Sequence, residues 1–264
     1  RRVWIALARA EAKAGIVRMD QVEELEEHKD EVDIAKASEI ESLIHHDLMA
    51  EIKTYASQCP KAGGIIHMGA TSMDALDNAD AVRFSEALDL TLSRLDDLIS
   101  ALSEKAEEHK ATATMAFTHI QPAEVTTIGY RLSQTIQDLL DDREQLLFVR
   151  RNIRGKGMKG AVGTAASYSE LLEGTGISAM EMEKMVMEEL GIKAYDAATQ
   201  IYSRKQDLRI IEALSSISCT LHKFSLDFRI LQSPPIGEFS EPCGKMQVGS
   251  SAMPFKRNPI NSEK

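Results

Sequence analysis

Four short segments of this sequence carry residue types suited to proton transfer and anion binding. The densest runs from Gly249 to Pro259 and holds Ser250, Ser251, Met253, Lys256 and Asn258. Small hydroxyl residues, a nearby lysine and flanking prolines make little sense as a core element. Met253 and Phe255 are poor choices for a solvated linker with nothing to cover, so the segment reads as a functional loop. A second segment, Phe117 to Glu124, places His119 beside Pro122. A histidine there is either a satisfied core residue or an acid–base group, since its ordinary pKa lies near neutrality. A third, His67 to Asp74, sets Thr71 and Ser72 just before a long helical pattern. They read as helix caps or, with the free amides of the helix start, as binders of a carboxylate. The pair His46-Asp47 lies within a helical stretch and reads equally as a surface pair.

The fourth segment, Gly155-Lys-Gly-Met-Lys-Gly160, has the spacing of a dinucleotide-binding loop. That reading needs a preceding strand and a following helix. An amphipathic helical pattern precedes it here, so we reject it. What remains is a helix-to-helix turn, or a turn whose amides and Lys156 or Lys159 lie near an anion.

The elements that must position these groups are helical nearly everywhere. Leu88, Leu92, Leu95, Ile99 and Leu102 alternate spacings of four and three, which predicts a helix from about Ala75 to Lys110 of the kind packed in bundles. A second helix is expected from Pro122, a favoured first helical residue, to about Arg154, with Val125, Ile128, Leu132, Ile136 and Leu139 as its stripe. A third is expected after a Ser203–Gln206 capping box, carrying Ile210, Leu214, Ile217, Leu221, Phe224, Phe228 and Leu231 until Pro234 and Pro235 end it. Ser178 and Glu181 cap a shorter helix that stops at Gly191. The stretch before Pro60 is helical with breaks near Gly15 and Asp33. Such long helices cannot bury their stripes alone, so a bundle that also oligomerises is expected.

The 264 residues suffice for one large domain or two smaller ones, with 43% hydrophobic and 27% charged residues. A net charge of −10 argues against a general nucleic-acid binder while leaving room for a small anionic ligand. Cys59, Cys219 and Cys243 lack metal-like spacing and read as free thiols of a reducing cytoplasm. No apolar run reaches transmembrane length, so no membrane partner is expected. Arg1 is not a methionine and Lys264 follows directly on the Gly249 loop, so we read the sequence as a portion of a longer protein.

The Gly249–Pro259 segment closely resembles the signature loop of the fumarase/aspartase superfamily, G-S-S-x-M-P-x-K-x-N-P, with every fixed position present. Two further conserved regions of that superfamily are matched in order by Gly69 to Asp74 and Thr118 to Ala123. Within it the chain is most similar to the adenylosuccinate lyases, through Gly64 to Ser72, Phe117 to Glu124, Gln200-Ile-Tyr-Ser-Arg-Lys205 and Lys256 to Pro259. The resemblance implies an all-α long-helix bundle truncated before its C-terminal domain. An N-terminal helical domain would occupy 1–71 and a central bundle 72–264, the latter forming the core of a homotetramer with shared active sites. Argininosuccinate lyases and carboxymuconate cycloisomerases would keep the loop but not the Gln200–Lys205 segment. A non-catalytic scaffold would not need an intact acid, base and lysine.

The implied reaction is an anti β-elimination of fumarate from adenylosuccinate, giving AMP, or from the succinylated aminoimidazole carboxamide ribotide, with neither metal nor redox cofactor. By resemblance Ser250 is the general base, His119 the general acid, and Lys256 the group stabilising the aci-carboxylate. Substrate binding is implied for His46, Asp47, His67, Thr71, Ser72, Thr118, Gln200, Arg204, Ser251, Met253 and Asn258, with Met253 covering the substrate as the loop closes.

Overall fold

The structure, a computed structural model, describes residues 1–244 and 246–264. The chain divides into two compact units, Arg1–Leu88 with Asn152–Gln206, and Asp89–Arg151 with Asp207–Lys264.

The first unit begins with α1 (Arg2–Lys13), which ends before Gly15 at φ +76°, a conformation glycine reaches without steric cost. Eight of the 12 residues of α1 are buried, because it lies between two apolar clusters. Trp4, Ile5 and Ala8 face α2 (Met19–Glu27) and α4 (Asp47–Gln58), with Val22, Leu25, Ile52 and Tyr55. Val3, Ala6, Leu7 and Ala10 face α7 (Ala166–Leu171) and α8 (Ala179–Leu190), with Tyr168, Met182, Val186 and Leu190. Asp33 caps α3 (Ile34–Ile44) by accepting from the Lys36 amide at 2.9 Å, so the two early breaks fall where expected. A 3₁₀ turn, Gly63–Ile65, leads to the long α5 (Ser72–Glu108). The reciprocal Ser178–Glu181 capping box starts α8, and Gly191 in the left-handed region stops it, both as the sequence predicts.

In the second unit α5 packs with α6 (Ile128–Arg151) and α9 (Lys205–Gln232). Leu92, Leu95, Leu102, Leu139, Leu146, Ile210, Ile217 and Leu231 are buried, while Leu214 and Leu221 of the predicted stripe are partly exposed. Polar groups fix the pairing. Arg143 forks onto Asp96, and Arg150 onto Asp89 at 2.7 Å. The half-buried hydroxyls of Ser216 and Thr220 on α9 donate to the buried Asp142 on α6 at 2.5 and 2.7 Å. Among the described residues no helix is long and apolar enough to cross a membrane.

Two sequence expectations need correction. The helix expected from Pro122 starts only at Ile128, because Gln121–Thr127 forms strand β2, antiparallel to β1 (Ala113–Thr118). Pro122 sits opposite Phe117 next to a bulge, a place where a strand tolerates proline. The Val125-Thr126-Thr127 run has the β-branched character that favours a strand, and Val125 is 76% exposed rather than part of a helical stripe. The second concerns Gln206, whose side chain does not reach back to a cap. Its Oε1 accepts from the Arg154 amide at 2.9 Å and its Nε2 donates to the Arg154 carbonyl at 3.0 Å. A buried amide must satisfy both of its ends, and Arg154 lies in the two-residue strand β3 (Arg154–Gly155), which pairs in parallel with β4 (Lys193–Ala194).

Glu11 of α1 is fully buried, and neither carboxylate oxygen has a hydrogen-bond partner among the described residues. Burial pushes its pKa up to about 8. The fold therefore tolerates the neutral form. Its contribution to stability is complete below the ordinary carboxylate range and is lost as pH rises through about 8. Thermal melts of the wild type should fall between pH 7 and pH 9 more steeply than those of Glu11→Gln, which mimics the neutral acid. Parallel curves would disprove the assignment.

Candidate active site

The start of α5 is built on one carboxylate. Asp74 is fully buried. Its Oδ1 accepts from Lys156 Nζ at 2.6 Å and its Oδ2 from the Tyr168 hydroxyl at 3.0 Å. The amides of Lys159 and Gly160 donate to it at 3.2–3.3 Å, and the Thr71 amide at 3.0 Å. Lys156, also fully buried, gives a second hydrogen bond to the Gly160 carbonyl at 2.8 Å. The anion near the Gly155–Gly160 turn is thus a side chain of this chain. Asn78 completes the cradle by pairing with both the amide and the carbonyl of Gly157, at 2.9 and 3.1 Å. Gly157 has φ +85°, and a Cβ there would stand 2.2 Å from Glu183 Oε2, so only glycine fits.

This network leaves Thr71 and Ser72 half-exposed at the N-terminus of a 37-residue helix, where hydroxyls and the helix dipole favour an anion. His67 lies on the same approach, half-buried, with Nδ1 accepting from Trp4 Nε1 at 3.1 Å. Burial holds its pKa below the ordinary value, His46 adds to that, and Asp74 opposes it. His46 caps α4 by accepting from the Met49 amide at 3.3 Å. Its neighbour Asp47 accepts from the Leu48 amide at 2.7 Å and is largely exposed. Gln200 is exposed in the irregular segment before α9. Arg204 pairs with the buried Asp77 at 2.9 Å and lies over the Tyr202 ring, 4.3 Å from its centroid. All these residues belong to the first unit.

The second unit carries the other groups. Thr118 and His119 are at the tip of the β1–β2 hairpin rather than before a helix. The turn residues His119 and Ile120 have φ +54° and +59°. Two residues at positive φ make the tight turn that suits a hairpin, usually filled by Asn and Gly. A β-branched residue there is an outlier, so the tip holds His119 in a strained, fixed frame. Beside it is a cleft of about 260 Å³ lined by Phe117, Ile120, Arg131, Lys223, Asp227 and Phe228, among others.

The Gly249–Pro259 loop closes on itself. Ser250 Oγ accepts from the amides of Ala252 and Met253 at 3.4 and 3.2 Å. Asn258 Nδ2 donates to the Gly249 carbonyl at 3.1 Å. A Cβ on Gly249 would stand 2.1 Å from the Lys256 carbonyl oxygen, so the turn requires a glycine. Two amides aimed at a hydroxyl oxygen stabilise that oxygen when it carries negative charge. Ser251, Met253 and Lys256 are exposed. Glu241 ties down the far end by accepting from the Asn261 and Ser262 amides at 3.1 and 2.8 Å. Among the described residues no hydrogen bond joins His119 to Ser250 or Lys256.

A family model described as a lyase matches residues 1–264. The chain belongs to the lyase family. Adenylosuccinate lyase of Schistosoma mansoni is 40% identical over 267 residues, covering 100% of this chain and 55% of that protein. Those of Saccharomyces cerevisiae and Pyrococcus horikoshii are 39% and 38% identical, with 55% and 57% of their lengths covered. This lyase-family chain thus spans just over half the length of these curated relatives. Among solved structures, 3-carboxy-cis,cis-muconate lactonizing enzyme from Pseudomonas putida matches with a TM-score of 0.86 at 27% identity, over 99% of this chain and 58% of that one. Fumarate lyase from Mesorhizobium sp. BNC1 matches at 0.78 and 22% identity, over 89% of this chain and 54% of that one, which speaks for the fold alone. The helical fold expected from the signature loop is the one these structures share.

Sequence reasoning overlooked Asp77, Asn78, Tyr168 and the structural weight of Asp74. Only Asp74 left a signal, as an acid three residues after Thr71 in the capping-box position. Lys156→Met should cost about 3–5 kcal/mol in urea unfolding, because it strands a buried carboxylate. A loss under about 1 kcal/mol would show that Asp74 does not depend on the ion pair.

Proposed function

We propose that the whole protein is an adenylosuccinate lyase, releasing fumarate from adenylosuccinate to give AMP and from the succinylated aminoimidazole carboxamide ribotide. The observation that carries this reading is the 38–40% identity to adenylosuccinate lyases along the whole chain. The 27% identity to the lactonizing enzyme favours a cycloisomerase less.

In this reading Ser250, as alkoxide, removes the proton beside a substrate carboxylate. The Ala252 and Met253 amides supply the stabilisation a serine base needs. Lys256 balances the charge of the aci-carboxylate. The electron pair then expels the nitrogen, which takes a proton from His119 as the C–N bond breaks. Thr71 and Ser72 hold a carboxylate at the helix start. His46, Asp47, His67, Thr118, Gln200, Arg204, Ser251 and Asn258 complete the binding surface, and Met253 covers the substrate. We place the enzyme in the cytoplasm, as suits free thiols at Cys59, Cys219 and Cys243.

In the full-length enzyme Ser250→Ala should lower kcat by on the order of 10²–10⁴ with little change in KM, in an absorbance assay on adenylosuccinate. Argininosuccinate and carboxymuconate should be inert. Turnover within twofold of wild type would remove Ser250 from the mechanism.

We also read the enzyme as a homotetramer whose sites draw on several chains. The support for this is the similarity to adenylosuccinate lyases along the whole chain. If His119 and Ser250 of one site come from different chains, His119→Asn and Ser250→Ala should complement on co-refolding. Independent draws at equal ratio leave about a quarter of sites intact. No recovery in mixed tetramers confirmed by native mass spectrometry would rule this out.

A further inference from the structure

Trp4 is the chain's one tryptophan, 4% exposed on α1 inside the first apolar cluster. Its indole N–H donates to His67 Nδ1 at 3.1 Å, and the two rings meet edge-on at 90° with centroids 6.1 Å apart. An indole N–H is a donor only, so Nδ1 must present its lone pair. The neutral imidazole then carries its proton on Nε2. Trp4 has little room to turn away. Its ring tilts against Tyr55 with centroids 6.2 Å apart, and the Tyr55 hydroxyl is itself held by the Leu25 carbonyl. His67 is fixed from its own side as well, with φ +68° between the 3₁₀ turn and α5.

We propose that Trp4 is a positioning residue that locks His67 as a neutral Nε2–H donor to an anionic oxygen of the substrate. The inference rests on the reading above that His67 belongs to the binding surface, and it adds how the imidazole is held. Protonating Nδ1 would set N–H against N–H and break the bond to Trp4. Burial works in the same direction. Of the titratable groups whose fields reach the ring, Asp74 on α5 favours the cation and His46 at the start of α4 opposes it. Tyr55 on α4 stays uncharged, since burial raises its pKa. His67 therefore binds charge without exchanging a proton, which leaves proton donation to another group.

The test is ring-nitrogen NMR of the full-length protein labelled with ¹⁵N-histidine, with the His67 signals assigned by their loss in His67→Gln. In the wild type at pH 7, Nδ1 should be pyridine-like and Nε2 pyrrole-like. Trp4→Phe keeps an aromatic ring but removes the donor. His67 should then titrate on the order of one pH unit higher, from the loss of one hydrogen bond to its neutral form. The acid limb of kcat/KM should move with it. A wild-type His67 that is cationic or Nδ1-protonated at pH 7 would overturn the proposal, even if the variant fails to fold. So would an unchanged midpoint in Trp4→Phe. The NMR readout needs no turnover, so it stands apart from the choice of substrate. A locked His67 without adenylosuccinate cleavage would count against the proposed function alone.

Discussion

The buried Asp74 carboxylate is the constraint on which the first unit's candidate site depends. A charge in the interior is costly unless paired and fully hydrogen-bonded. Here one ammonium, one phenol and three backbone amides meet it. Satisfying it ties three segments together: the Thr71–Ser72 helix start, the Gly155–Gly160 turn and Tyr168 of α7. Gly155 and Gly157 of that turn are explained by close approach, since a Cβ on them would stand 2.2 Å from Asn78 and from Glu183. A pattern that looks like a phosphate cradle is a cradle for the protein's own anion. Three backbone amides are spent on it, and Thr71 and Ser72 stay half-exposed at the helix start.

Periodicity made the long helices legible. The seam of α5 and the capping box of α8 appear where the residues put them, because local propensity and burial agree there. The signature loop was legible as chemistry because its composition fits no core element. The β1–β2 hairpin was not legible. Pro122 next to an apolar stripe satisfies the rules for a helix start, and the pairing partner that makes it a strand lies before His119 at the far side of a tight turn. Nothing local marks His119-Ile120 as that turn, since both occupy a left-handed conformation other residues prefer. Gln206 shows the same limit. Its cap-like spacing is local, while its bonds to Arg154 across 52 residues are not. The Trp4–His67 bond likewise spans 63 residues and leaves no periodic trace.

The two kinds of site residue are supported in different ways. Thr71, Ser72 and His67 stand on groups whose displacement would expose a buried ion pair or empty an aromatic contact in the core. The proposed proton-transfer groups stand on local geometry. Ser250 and Asn258 bond within their own loop, and His119 rides on a two-residue turn. Opening the loop breaks a few hydrogen bonds and uncovers little buried apolar surface, so its free energy lies at the low end of the scale for local transitions. That division suits the elimination proposed above. The substrate's charge needs a frame that does not relax, since preorganised donors stabilise developing charge without reorganising. The base needs a segment that can admit substrate, close over it and exclude water. For the serine base proposed above, the two amide partners of Ser250 Oγ lie in the same loop, so a movement of the loop as a body would carry them with the oxygen.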